Sequence, residues 1–136
     1  MSFVLDSSVS LSWCFDDERT DVMDALLERV VEAGAVAPAL WPLEVLNALA
    51  MAERRSRIDA ERRQRLAGFL RDLPVTIDEE TASQAWAVTS QLAARFRLTV
   101  YDAAYLELAQ RRGLPLATLD QELRVAAAAL GVTLLD

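Results

Sequence analysis

FVLDSS, residues 3–8, sets three apolar residues directly before an aspartate, Asp6, and a pair of serines. So short and apolar a run reads as a strand buried on both faces, and the polar residues after it mark its carboxyl end. The pattern recurs. AVA at 35–37, VTI at 75–77, LAT at 116–118 and VTL at 132–134 are equally short runs, and longer helical patterns separate them. Such alternation predicts an α/β fold with a parallel sheet. No linker, repeat or low-complexity tract divides the chain, so residues 1–136 are expected to form one domain.

Between the runs, Val22, Leu26, Leu27, Val30 and Val31 make one apolar stripe at helical spacing that stops at Gly34. Pro42 suits the first turn of the next helix, which is expected to turn Leu43, Leu46, Leu49 and Ala50 toward a core. Further helices fit about 59–73, 79–96, 102–112 before Gly113, and 121–130 before Gly131.

Apolar residues are 53 % of the chain and charged ones 26 %, with four glycines and four prolines, the composition of a folded protein. A lone cysteine, Cys14, has no disulfide partner within the chain. The start lacks a signal peptide's basic and apolar regions, and the most apolar long window, 35–53, holds Pro38, Pro42 and Glu44. A cytoplasmic protein without membrane spans is expected.

Two absences narrow the chemistry. Without histidine there is no Ser-His-Asp triad and no histidine-ligated zinc. Without lysine, all fourteen cations being arginine, P-loop and Schiff-base chemistry are excluded. An enzyme of this composition works with carboxylates, hydroxyls and arginines, and carboxylates favour hard cations such as Mg²⁺ or Mn²⁺.

In open parallel sheets, ligands bind beyond the carboxyl ends of the strands. Asp6 follows the first run and Asp120 the fourth. Asp102 joins the apolar LTV to a helical pattern, and each of the three could equally be a helix cap. Glu44 is harder to dismiss, because it interrupts ALWPLEVLNALA, and carboxylates are seldom buried without a partner. Asn47, three residues on, is placed to hold it.

FVLDSSVSLSW at 3–13, LEVLNAL at 43–49, LTVYDAAYLELA at 98–109 and LATLDQEL at 116–123 together resemble the PIN-domain ribonucleases, specifically the VapC-type toxins of toxin-antitoxin pairs. The resemblance spans residues 3 to about 134. It implies a PIN-like three-layer sandwich with a five-stranded parallel sheet flanked by helices. It also implies an acidic Mg²⁺ or Mn²⁺ site, cleavage of RNA, neutralisation by a VapB-like antitoxin, and a homodimer. By position, Asp6, Glu44, Asp102 and Asp120 match the family's catalytic, metal-binding acids, while Ser8 and Thr118 match supporting hydroxyls. Glu122 stands where many relatives have a further Asp; its longer side chain keeps it outside the core set. The alternative is a PIN-like scaffold that binds RNA or protein without cutting.

A net charge of −7 disfavours casual nucleic-acid binding, yet ERRSRIDAERRQR at 53–65 holds six arginines against three acids. Arg54, Arg55, Arg62 and Arg63 are candidates for RNA-backbone contact, against the plainer reading of solvated helix faces with alternating charge.

Overall fold

The structure, a computed structural model, describes residues 2–136. Its first strand, β1 (Val4–Leu5), carries no solvent exposure at Phe3, Val4 or Leu5. Since neighbouring strand residues point to opposite faces, both faces of the sheet are covered, and the helices form the outer layers. β2 (Ala35–Ala37), β3 (Val75–Ile77) and β4 (Leu116–Ala117) complete a parallel sheet in the order β3-β2-β1-β4. Val4 pairs with Val36 on one side and Leu116 on the other. The order therefore reverses at β1, and the crevice beyond β1 and β4 is where such sheets build ligand sites.

The expected fifth strand at 132–134 is reduced to a single parallel bridge between Leu134 and Leu116. Leu116 donates to Thr133 and accepts from Leu135, while Val132 bonds back to Ala127 of the preceding helix, so four strands make up the sheet among the described residues.

The helices follow the sequence with instructive departures. α2 (Asp21–Ala33) starts at a Thr20 cap and ends at Gly34, whose φ of 78° and approach to Pro74 favour glycine. α3 (Trp41–Arg54) takes Pro42 in its first turn, but its buried face is Trp41, Val45, Leu49 and Ala52. Leu49 is buried as expected, whereas Leu43 and Leu46 are exposed, because the buried stripe runs back from Leu49 in steps of four, through Val45 and Trp41, and not in steps of three. α4 (Ala60–Asp72) is capped by Asp59.

The helix expected over 79–96 is broken. It splits into α5 (Thr81–Gln84), a π-helical turn over Ala85–Thr89 and α6 (Ser90–Phe96), with Ala87 outside helical geometry and Trp86 fully displayed to solvent. α1 (Ser7–Ser12), directly after Asp6, was not foreseen. α7 (Val100–Arg112) and α8 (Gln121–Leu130) close the chain, the latter with the bounds its sequence implies. Among the described residues, no helix is long and apolar enough to cross a membrane.

One buried charge cluster fixes α7 against the β3 end. Arg111 donates to Asp78 at 2.6 Å and Glu107 at 2.7 Å, and Arg112 adds a bond to Asp78 at 3.2 Å. Burial pushes the Asp78 carboxyl upward, but the Arg111 guanidinium, the Glu80 N–H and the Thr81 hydroxyl together outweigh it and hold it below the usual range.

Candidate active site

Asp6 leaves β1 in extended geometry and is nearly buried. Two hydroxyls end on its Oδ2: Ser8 donates at 2.6 Å and Thr118 at 2.7 Å. The same hydroxyls accept backbone N–H groups, Ser8 from Leu119 and Thr118 from Asp120. They thus lace the carboxyl end of β1 to that of β4 and leave Oδ1 the freer oxygen. Burial raises the Asp6 carboxyl, and the two hydroxyls pull it partly back.

Asp102 is not a helix cap. That position belongs to Thr99, whose hydroxyl accepts from the Asp102 N–H at 3.1 Å, so helix α7 begins two residues earlier than expected. The Asp102 side chain is released for other work, and its carboxyl is pushed up to about 6 by desolvation and by the charges of Asp120, Asp6 and Glu44. All four acids therefore share one electrostatic neighbourhood. Asp120 does cap, accepting from Leu123 N at 2.9 Å at the start of α8, and still reaches Asp102 with its charge.

Glu44 sits in the first turn of α3, half-buried. Desolvation raises its carboxyl, a Tyr105 hydrogen bond lowers it and Asp6 raises it again. The partner is Tyr105, which donates to Oε1 at 2.6 Å, and not Asn47, which is exposed and makes no hydrogen bond to Glu44 among the described residues. One helical turn is the right spacing for an amide to reach, but Asn47 lies on the solvent side of α3. Tyr105 had a signal in the sequence: a phenol within the apolar stretch AAYL, 103–106, needs a polar partner if that stretch is buried.

Among the described residues, no three potential ligands are gathered to hold a metal ion. The acids are coupled through space without forming a ready ligand shell. Glu122 is exposed in the first turn of α8.

The arginine stretch divides. Arg54 and Arg55 are exposed at the end of α3 and take part in no ion pair among the described residues, whereas Arg63 pairs with Glu53 and Arg62 is half-buried. Arg54 lies ten residues from Glu44 on α3, about 15 Å along the helix axis. Replacing Arg54 and Arg55 by Gln is expected to weaken RNA binding and to flatten the plot of log affinity against log salt by about 0.7 per lost phosphate contact. The matching change at Arg62 and Arg63 leaves the slope in place. Filter binding across a salt series measures both, and a slope unchanged in the Arg54/Arg55 variant returns the whole stretch to solvated surface. Of the aromatics, Trp13, Phe15 and Trp41 are core, whereas Phe69, Trp86 and Tyr101 are exposed.

No curated protein sequence matches the chain. Among solved structures, it is similar to PAE2754 from Pyrobaculum aerophilum, at 22 % identity and a TM-score of 0.68 over 93 % of this chain and 84 % of that one. It is similar also to FitAcB from Neisseria gonorrhoeae, at 17 % identity and a TM-score of 0.68 over 100 % of this chain and 97 % of that one. At such identities the likeness is one of fold. Residues 3–129 match the PIN domain family, nearly the full length, and the chain belongs to that family.

Proposed function

We propose that this protein is a divalent-metal-dependent endoribonuclease, the toxin of a type II toxin-antitoxin pair held inactive by a VapB-like antitoxin. What supports this reading is the placement of Asp6 and Asp120 at the carboxyl ends of β1 and β4, with Asp102 and Glu44 close enough that the charges of Asp120, Asp6 and Glu44 all raise the Asp102 carboxyl. Carboxylates held together without a cationic side chain among them are unstable until a cation arrives. Membership of the PIN family supports a nuclease, and the four motifs quoted above support the toxin branch.

Asp6 and Asp102 are the residues that would hold Mg²⁺ or Mn²⁺, with Glu44 and Asp120 acting directly or through waters. A full protein shell is not required, since Mg²⁺ usually keeps several waters. A bound divalent cation supplies the charge that acidifies an attacking water and offsets the phosphodiester. Ser8 and Thr118 orient Asp6 with its freer oxygen available, and Asp120 anchors the start of α8. Arg54 and Arg55 are the candidate contacts to the RNA backbone. An apolar groove of about 500 Å³ between α3 and α4, lined by Trp41, Val45, Leu46, Ala67 and Leu70, suits a partner helix such as an antitoxin's.

One observation favours the scaffold reading instead: the absence, among the described residues, of a gathered ligand set. Incubating purified, partner-free protein with RNA separates the two. Internal cleavage in Mg²⁺ or Mn²⁺ that stops in EDTA is expected of the enzyme; intact RNA under both conditions, or cleavage indifferent to EDTA, contradicts it.

A further inference from the structure

We infer that Tyr105 is a positioning residue of the acid site, its phenol O–H fixing Glu44 and tying helix α3 to the helix that carries Asp102. The inference rests on the metal-site reading above. Tyr105 has no solvent exposure and lies within Ala103–Ala109, an unbroken buried run of α7. A phenol so placed must find an acceptor, and the acceptor is a carboxylate oxygen 2.6 Å away on another helix. Such a short bond to an ionised group is of the stronger, charge-assisted kind.

Three consequences follow from the geometry. First, Glu44 is half-exposed and is repelled by Asp6, so an unanchored carboxylate would swing toward solvent. The buried hydroxyl opposes that movement and removes rotamer freedom before any ligand binds. Second, Tyr105 engages Oε1, and the Ser7 hydroxyl lies beside the same carboxylate, so one oxygen of Glu44 is fixed before any ligand binds. Asp6 is treated likewise, with Oδ2 engaged by Ser8 and Thr118 and Oδ1 left freer. Third, Tyr105 stands three residues after Asp102, on the same side of α7. The hydrogen bond therefore sets the Glu44 carboxylate in register with Asp102 across 61 residues of sequence.

Tyr105→Phe keeps the ring in the core and removes only the O–H. Calorimetric titration with Mn²⁺ of the parent, Tyr105→Phe, Glu44→Gln and the double variant tests the proposal, with melting curves to follow the fold. Tyr105→Phe is expected to weaken Mn²⁺ binding about tenfold, the loss typical of removing a group that orients a ligand. In the Glu44→Gln background it should cost nothing more, and with RNA the parent's kcat should fall while KM stays. Glu44→Asp withdraws the carboxylate from the hydroxyl without touching the core and should weaken binding similarly. Parental affinity in Tyr105→Phe or in Glu44→Asp overturns the inference, as does a Tyr105→Phe loss that adds in full to that of Glu44→Gln. A parent that binds no Mn²⁺ overturns the metal-site reading itself, a result distinct from a parent that binds and a variant that binds equally well.

Discussion

Asp102→Asn is expected to lose RNA cleavage by about a hundredfold or more while the metal-free protein melts at the parental temperature or above it. The stability half of this expectation follows from the Asp102 carboxyl, raised from 3.8 to about 6 by desolvation and by Asp120, Asp6 and Glu44. As pH rises from about 4 to about 6, the unfolded chain releases this proton while the folded chain retains it. Folded-state stability therefore falls across that window and stays lower above it. After discounting for solvent screening of a half-exposed group, the penalty at neutral pH is about 1 kcal/mol. The amide removes it. Against this stands the favourable placement of a negative charge in the first turn of α7, of similar size or smaller. Thermal melts from pH 3.5 to 7 with EDTA present measure the balance: parent and variant should agree at the acid end, and the variant should match or exceed the parent at neutral pH. A variant less stable only at neutral pH would mean that Asp102 holds the fold together instead of straining it.

The largest stability effect is expected at Arg111, at the opposite end of α7 from Asp102. Arg111→Leu strips the guanidinium from Asp78 and Glu107, whose side chains are 1 % and 4 % exposed. Asp78 keeps Arg112 and Thr81, but Glu107 keeps nothing among the described residues. Leaving buried charges without their partner costs about 3 kcal/mol or more, and urea denaturation at neutral pH should register it. The loss should shrink in acid, where the stranded carboxyls take up protons. A cost below about 1 kcal/mol would place the cluster with exposed ion pairs, which contribute little.

How much of this was legible in the sequence varies with the range of the interaction. Asp6 and Asp120 were readable because an acid directly after a short apolar run needs only local pattern to be placed at a strand's carboxyl end. The bounds of α8 were readable too, since Asp120 and Gly131 punctuate both ends. Asp102 was located near a helix start, but whether it capped that helix stayed open, because Thr99 competes for that role and only backbone geometry reveals the winner. Asn47 failed as the partner of Glu44 for a different reason. Helical spacing proposes neighbours on the same helix, while the true donor, Tyr105, comes from another helix through tertiary packing. The Asp78–Arg111 cluster was invisible, since nothing in a single sequence pairs one of many acids with one of fourteen arginines. The break at Ala87 carries no glycine or proline to announce it. The fifth run has strand composition, yet the sheet pairs with it only at Leu116.

The central claim, that Asp6, Glu44, Asp102 and Asp120 constitute one divalent-cation site, meets its most direct test in calorimetric titration of Mn²⁺ into the parent protein, Asp6→Asn and Asp102→Asn. The expected result is a saturable heat in the parent that is weakened at least about tenfold in each variant, with both variants still folded. A parent without binding heat, or variants that bind as the parent does, would contradict it.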